Sequence, residues 1–486
     1  MRVYLIFLVI FISALDLYGQ EKHDYQWVLD RFNLMDFRED SLQLSVLSNV
    51  TNYGSGDYST SICNGEGELL FYSGGCYIIN SQNEIMENGD SINSGYAYID
   101  FCNDGDLPMR LNNTIIPYPL NGQKYIYFNL DINLLEDILS APLNFYYHVV
   151  DMSLDGGLGA VSEKNQLVVS DTLARGYVQA TRHANLTDWW VLVAEWNSNC
   201  YYIIPVTDDG VGIPEKQCLG EIWHDLDGGG QAVFSPDGTM YARIGGQVAL
   251  VLFDFEDEQG ALTNPVELTY PYDEEFFRGI AFSPDSRYLY VSAKLDLFQF
   301  DLHAVDIQGS IKLVGQLDPE NAQPGVGTLA LQKLAPDGKI YIASPGAHRF
   351  LSVINRPNCH GTLCDFQPWS IELPGSNYAG LPNLPHFNIP ESNTECDSLV
   401  SANLPISDEE ISIYPNPASN NIYIESSGGD KQYFIIDMLG RPLSQGKLDR
   451  IPTEIDVSHL NNGIYFLKIK NMKGELISVT SLLVQK

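Results

Sequence analysis

Two histidines and two arginines are the side chains whose type and position first suggest chemistry. His183 lies in RHANLTDWW and His224 in IWHDLDGG, where an imidazole is suited to act as a general acid or base. Arg175 and Arg278 each precede a predicted strand, where two guanidinium groups facing one channel would bind an anion. Both histidines flank predicted strands and turns, so the sequence favours a hydrogen-bonding role for them over catalysis.

The sequence lacks the motifs that mark the common hydrolases and nucleotide-dependent enzymes. It contains no G-x-S-x-G nucleophile elbow, no H-E-x-x-H zinc helix and no Walker loop. A catalytic carboxylate pair among its 62 acidic residues is invisible, because such a pair forms in space and not in sequence. We therefore assign no catalytic residue, and the sequence leans towards a protein that is not an enzyme without deciding the question.

The charge of the chain limits its partners. It has 27 basic and 62 acidic residues, a formal net charge of −35, which would repel nucleic acid and disfavours an anionic membrane surface. Two acidic stretches, DLDGGG at residues 225–230 and NDGD at residues 103–106, resemble parts of a calcium loop, but neither completes the ligand pattern. We expect no metal and no cofactor, with calcium as the alternative at these two places.

Three stretches of the sequence are near copies of one another. They are AVFSPDGTMYARIGG, IAFSPDSRYLYVSAK and QKLAPDGKIYIASPG, and they recur about every fifty residues. Each predicts a strand, a Pro-Asp turn and a second strand, and two further strands follow it, as in VALVLFDF, LFQFDLH and FLSVINRP. Four strands in each period indicate the blades of a β-propeller.

Three fainter copies lie upstream, around residues 59–75, 113–130 and 179–196. A seventh blade is predicted to close the ring from both ends of the repeat region. GLPNLPHFNI (residues 380–389) would supply its inner strand and YQWVLDRF (residues 25–32) its outer strand, because pairing the two termini removes exposed sheet edges. We predict an all-β chain with a seven-bladed propeller, and six or eight blades remain the alternatives.

Eight cysteines favour disulfides in an exported protein. Cys200 and Cys218 flank a probable hairpin, Cys359 and Cys364 bracket the short loop HGTL, and Cys76 with Cys102 is the third predicted pair. No C-x2-C pattern is present, which disfavours zinc.

The two ends of the chain differ from the repeat region. Residues 1–19 contain one arginine, an apolar run and a small residue before Gln20, which predicts a signal peptide and no transmembrane anchor. Residues 20–390 are assigned to the propeller, and the polar, acidic residues 391–410 to a linker. Residues 411–486 alternate short strands with tight turns and predict a small Ig-like β-sandwich.

Two resemblances give the chain a context. ELLFYSGGCYIINSQNEIMENGDSIN, RHANLTDWWVLV and NRPNCHGTLCDF…YAGLPNLPHF resemble the exported, WD-repeat-like propeller proteins of Bacteroidetes-type bacteria. YPNPASNNIYI, DMLGR, DVSHLNNGIYFLKI and the terminal Lys486 resemble the type A sorting domain of the type IX (Por) secretion system.

The second resemblance implies export to the periplasm, passage across the outer membrane through the type IX machinery, and a secreted or cell-surface protein. We expect the propeller to bind a protein or a glycan, at a channel mouth that Arg175, Arg278, His183 and His224 would line. The alternatives are a secreted hydrolase or lyase acting on polysaccharide, and a structural component of the cell surface or the gliding apparatus.

Overall fold

A computed structural model describes residues 21–48, 50, 60–93, 99, 102, 111–131, 133–135, 138–222, 230–245, 250–271, 278–318, 327–346, 348–378, 380–388, 396, 411–426, 431–436, 442–448, 452–471 and 476–486. The chain divides into two compact units, Met1–Cys396 and Asp397–Lys486. The predicted signal peptide, nearly all of the predicted linker and both calcium candidates, except Gly230, lie outside the described residues.

The first unit is built from antiparallel sheets of consecutive strands. The first two described sheets have three strands each: β1 (Gln26–Val28), β2 (Asn33–Asp36) and β3 (Gln43–Val46), then β4 (Thr60–Cys63), β5 (Leu69–Ser73) and β6 (Ile79–Asn80). The third has four strands, β7 (Asn113–Pro117), β8 (Lys124–Leu130), β11 (Asn144–Asp151) and β12 (Ala160–Ser170), with a separate pair, β9 (Asn133–Leu135) and β10 (Ile138–Ala141), between them in sequence.

Four more sheets follow in chain order, and the last three of them begin with the strongest repeats. The fourth contains β13 (Gln179–Arg182), β14 (Trp189–Ala194), β15 (Cys200–Thr207), β16 (Gly210–Val211) and β17 (Glu215–Cys218). The fifth contains β18 (Gln231–Phe234), β19 (Met240–Ile244), β20 (Leu250–Glu256) and β21 (Ala261–Leu268). The sixth contains β22 (Arg278–Phe282), β23 (Tyr288–Ala293), β24 (Asp296–Asp301) and β25 (Lys312–Gln316). The seventh contains β26 (Gln332–Leu334), β27 (Ile340–Ile342), β28 (His348–Ile354) and β29 (Phe366–Asn377). Short 3-10 helices occupy Asp30–Phe32, Asp155–Gly157, Gln308–Ser310 and Gly361–Cys364.

These sheets form the ring of a β-propeller. The first strand of each sheet lies at a sheet edge, and the first strands contact one another in sequence, from β1 and β4 through β7, β13, β18 and β22 to β26. The first sheet lies beside the last, because Gly375 N donates to Asn33 Oδ1 at 2.6 Å and Asn33 Nδ2 donates to Ser376 O at 2.9 Å. The first strands are therefore the inner strands around a central channel, and the apolar core lies between neighbouring sheets.

The repeated Ser-Pro-Asp segments are turns, as the sequence predicts. Ser235 Oγ donates to Asp237 Oδ1 at 2.6 Å, and Ser283 Oγ donates to Asp285 Oδ1 at 2.5 Å. Gly238 closes its turn with φ of 75°, a value that only glycine adopts freely. The repeat therefore encodes hairpin turns.

The predicted closure of the ring by residues 25–32 and 380–389 is wrong. β1 pairs with β2 in a sheet of its own, and residues 381–386 form no strand. Pro382 and Pro385 lack the N–H groups that a sheet ladder needs, so this segment is free to run elsewhere. The contacts between the first and seventh sheets close the ring instead.

The second unit contains two antiparallel sheets that share one apolar core. One consists of β30 (Ile411–Tyr414), β31 (Asn421–Ser426) and β34 (Thr453–Asp456). The other consists of β32 (Lys431–Ile436), β33 (Pro442–Leu448), β35 (Gly463–Asn471) and β36 (Leu476–Val484). Ile422, Ile435 and Leu482 are buried in the shared core, and an Ig-like topology stays a prediction.

A buried histidine makes the stability of the propeller dependent on pH. His148 on β11 is fully buried, with Nε2 2.8 Å from Asn129 Oδ1 and Nδ1 accepting from Asn165 N at 3.3 Å. Burial, and to a smaller extent Lys164, lowers the pKa of His148 to about 3. The folded state therefore excludes a proton that the unfolded chain takes up below its ordinary pKa, so this contribution to stability is lost as pH falls from that value.

We expect the free energy of unfolding to fall by about 2.7 kcal/mol between neutral pH and a pH about two units below the ordinary histidine pKa, from His148 alone. His148→Gln, which keeps a hydrogen-bonding group at this position, is expected to flatten the pH dependence by that amount. Denaturant unfolding of both proteins at several pH values measures the difference. If the free energy of unfolding varied with pH in the same way for both proteins, His148 would not be the source of the pH dependence.

Candidate functional site

The channel of the propeller contains part of the chain itself. We call residues Leu381–Asn388, which follow the last strand, the channel segment. Asn383 is its anchor: its Nδ2 donates to the carbonyl oxygens of Val178 at 2.7 Å and of Asn113 at 2.9 Å, and its Oδ1 accepts from Gln179 Nε2 at 2.7 Å. These partners lie at the beginning of β7 and β13, so one side chain joins two inner strands.

The far end of the channel segment meets the N-terminal residues. The ring of Phe387 lies 5.7 Å from that of Trp189 and 5.3 Å from that of His23, edge to face in both cases. Asn388 and Glu21 form a two-way pair, in which Glu21 N donates to Asn388 Oδ1 at 3.1 Å and Asn388 Nδ2 donates to Glu21 O at 2.5 Å. The segment thus runs along the channel from the start of the inner strands towards their ends.

Among the described residues, little space remains beside the channel segment. The cavity there has a volume of about 20 Å³, which has room for roughly one water molecule. Pockets that hold small-molecule substrates span about 300–1,000 Å³. The cavity lies between residues 381–386 and the inner strands, and its polar lining includes Gln179, Gln231, Gln332, Lys333 and His386. A substrate would have to displace the channel segment before it reached these groups.

Two ionisable side chains, Lys333 and His386, line this cavity, and the buried carboxyl of Asp24 lies near Lys333. Lys333 Nζ donates to the carbonyl oxygen of Leu384, and burial lowers the pKa of Lys333 while nearby Asp24 opposes the change. Burial raises the pKa of Asp24, and Lys333 opposes that change in turn. Burial, and to a smaller extent the charge of Lys333, lowers the pKa of His386 to about 3. His386 is therefore neutral near pH 7, and Lys333 holds the backbone of the channel segment.

The predicted channel-mouth residues that the structure describes differ in burial and do not all lie at the same end of the inner strands. Arg278 begins β22 and is 2% exposed, with Nη1 donating to Gly245 O at 3.4 Å. Arg175 precedes β13 and is partly exposed. His183 follows β13, so it lies at the opposite end of that strand from Arg175. His224 lies outside the described residues.

His183 has a structural partner. Its ring stacks on Trp190 with centroids 5.5 Å apart and planes at 21°, and its Nδ1 accepts from Asn185 N at 3.0 Å. Trp190 Nε1 donates to Asp257 O at 2.7 Å in the neighbouring sheet. These contacts fit the hydrogen-bonding role that the sequence favours for this histidine.

Two predicted disulfides are present and one prediction is wrong. Cys76 pairs with Cys102, and Cys200 with Cys218. Cys359 pairs with Cys396 and not with Cys364. The 3-10 helix Gly361–Cys364 turns the Cys364 side chain into the core, where it interacts with Tyr290 and stays a buried thiol.

Sequence reasoning noticed residues 380–389 but gave them the wrong role. The prolines of GLPNLPHF were the signal against a strand, since each removes a backbone donor. No pattern in the sequence identified Asn383 or Lys333 as channel residues. In the part of the chain that the structure describes, no group of three or more His, Cys, Asp or Glu side chains is placed to hold a metal ion.

Residues 412–484 match the family described as the secretion system C-terminal sorting domain. This confirms the sorting domain that the sequence predicts at the end of the chain. The protein is therefore an exported β-propeller protein that engages the type IX secretion machinery and is secreted or attached to the cell surface. Three disulfides fit such a location. Among the described residues, no helix is long and apolar enough to cross a membrane.

Comparisons over most of the chain give only distant similarities. No curated protein sequence matches the chain. The periplasmic gluconolactonase PpgL of Pseudomonas aeruginosa is 13% identical, with a TM-score of 0.37 over 95% of this chain and 99% of that one. PorZ, a surface component of the type IX secretion system of Porphyromonas gingivalis, is 9% identical, with a TM-score of 0.32 over 96% of this chain and 74% of that one. Likenesses at such scores carry no argument about activity.

Proposed function

We propose that this protein is a non-enzymatic binding module of the cell surface, whose propeller binds a protein or a glycan and whose sorting domain delivers it there. The observation that carries this proposal is the channel segment. It occupies the place where a propeller enzyme would hold a substrate, and the remaining cavity of about 20 Å³ admits roughly one water molecule. Binding then takes place on exposed faces of the ring, outside the filled channel.

The hydrogen bonds of the polar side chains in the channel support the same function. Gln179 donates a hydrogen bond to Asn383, and Lys333 donates one to the backbone carbonyl of Leu384. A general base needs a proton of the substrate within hydrogen-bonding reach, and these groups face the protein's own chain. We therefore do not favour the hydrolase or lyase alternative.

The experiment is a glycan array probed with the mature chain, residues 20–486, with a hydrolysis assay on the same sugars. We expect binding without turnover, or no glycan binding when the ligand is a protein. Arg175→Gln tests the predicted channel mouth, because Arg175 is partly exposed there while Arg278 is buried. Leu313→Asn on the outer strand β25 is the matched control. Turnover of any sugar that disappears on heat inactivation would overturn the proposal.

A further inference from the structure

One face of the propeller is formed by the turns that follow the first and third strands of the sheets. We call it the turn face; the inner strands end at it, and Arg175 and Arg278 of the predicted channel mouth lie at the other ends of these strands. Hydrogen bonds join its turns to one another: Met152 N to Gln123 O (2.8 Å), Ala184 N to Asp257 O (3.3 Å), Asp237 N to Ser286 Oγ (3.4 Å) and Asp285 N to Asn358 Oδ1 (3.1 Å). These bonds join the turns of the fourth sheet to those of the fifth, sixth and seventh, while the bond of Met152 lies within the third sheet.

Exposed aliphatic side chains lie in five turns of this face. Leu120 is 76% exposed and Leu186 is 69% exposed, each in the turn after an inner strand. In the turns after the third strands, Val305 is fully exposed, Leu154 is 42% exposed and Leu363 is 37% exposed. Single exposed aliphatic residues are ordinary, and five of them lie in the turns of this one face.

Two of these leucines have a backbone conformation that disfavours leucine. Leu120 has φ of 56° and Leu186 has φ of 62°, in the left-handed region that glycine and asparagine adopt more easily. Because neither side chain is buried, packing does not offset this strain. A side chain that the turn itself does not require points to a contact outside the chain.

Carboxylates accompany the aliphatic side chains. Asp155 follows Leu154 and Asp306 follows Val305 directly, while Asp188 and Asp365 come two residues after Leu186 and Leu363. Near Leu120, burial raises the pKa of Tyr118, and the charges of Glu163, Asp209 and Asp208 raise it further. Two basic side chains of the face are already engaged: Lys124 lies 3.7 Å from Asp151, and Arg287 lies 2.8 Å from Asp301. The surface around four of the aliphatic side chains is therefore acidic, and Leu363 is the exception, because His360 and Lys312 lie near it.

We propose that the turn face docks a protein partner whose surface has apolar pockets rimmed by Lys and Arg side chains. The aliphatic turns enter the pockets, and the neighbouring carboxylates pair with the rim. The acidic charge of the face opposes an anionic membrane and a second copy of this chain, which would bring like charges together. The inference rests on the proposed binding function and names the surface and the class of partner.

The test uses the mature chain and a phage-displayed library of random peptides as the probe. Selected peptides are expected to combine large apolar residues with Lys or Arg. Their affinity for the double variant Leu120→Asn/Leu186→Asn, measured by fluorescence anisotropy, is expected to fall at least about tenfold. Asparagine tolerates the left-handed conformation, so this variant should melt no lower than the wild type, which separates lost binding from lost folding.

The matched control is Leu167→Asn/Leu313→Asn, which removes two exposed leucines from outer strands. It should keep the wild-type affinity. Equal affinity of the turn-face variant and the wild type would overturn the inference, as would selected peptides without basic residues. Binding to phosphatidylcholine vesicles or concentration-dependent dimers that the variant abolishes would also overturn it. Sugar turnover bears on the proposed function alone, so the two failures are distinguishable.

Discussion

Replacing Asn383 with leucine is expected to lower the free energy of unfolding of the propeller by about 3 kcal/mol. The substitution keeps the volume of the side chain but removes a donor to Val178 O and Asn113 O and the acceptor of Gln179 Nε2. Asn383 is 7% exposed, so water cannot take over these bonds. Denaturant unfolding of the mature chain, followed by tryptophan fluorescence, measures the loss.

Gln82→Leu is the control, because it also changes an amide to leucine but at an exposed position. It should change the unfolding midpoint little. A midpoint for Asn383→Leu that equals this control would mean that the channel segment does not hold the inner strands together. The contacts of Asn383 would then be incidental to the fold.

Removing the Cys359–Cys396 disulfide is expected to cost about 4 kcal/mol in the free energy of unfolding. The bridge joins residues 37 apart in sequence, and closing a loop of that length limits the unfolded chain strongly. The loop contains the channel segment, so the bridge also fixes the chain on the far side of the channel. Cys396→Ser should show the full loss.

Cys364→Ala separates this bridge from the one that the sequence suggested. With Cys364 a buried thiol, its replacement leaves all three bridges in place, and mass-spectrometric disulfide mapping should find them unchanged. If Cys359 were instead paired with Cys364, Cys396→Ser would leave the stability unchanged. Cys364→Ala would then release a free Cys359 thiol.

The hairpins of the propeller were predictable because each is encoded locally. Pro236, Asp237 and Gly238 set a turn by their own backbone preferences, and the apolar strands on either side need no distant partner to be recognised. The sorting domain was predictable for a similar reason, since its motifs appear in order over one continuous stretch. Cys200 and Cys218 were recognisable because they sit opposite each other in a single hairpin.

The channel was not predictable because its contacts join residues far apart in the chain. Asn383 meets residues more than 200 positions away, and only the closed ring brings them together. The same holds for Cys359 and Cys396, whose nearer alternative, Cys364, is excluded by the direction of its side chain. Spacing in the sequence favours the nearest cysteine as the disulfide partner. In the folded chain, the partner is the cysteine whose side chain faces Cys359.

Thiol labelling of Leu384→Cys in the mature chain tests most directly whether the channel is closed by its own segment. Leu384 is 2% exposed and lies against the inner strands, and the native Cys364, which is buried elsewhere, is the internal control. The account predicts that the thiol at position 384 reacts as slowly as that of Cys364. Labelling as fast as a free thiol would show that the channel is open in solution, and would return a substrate-binding channel to consideration.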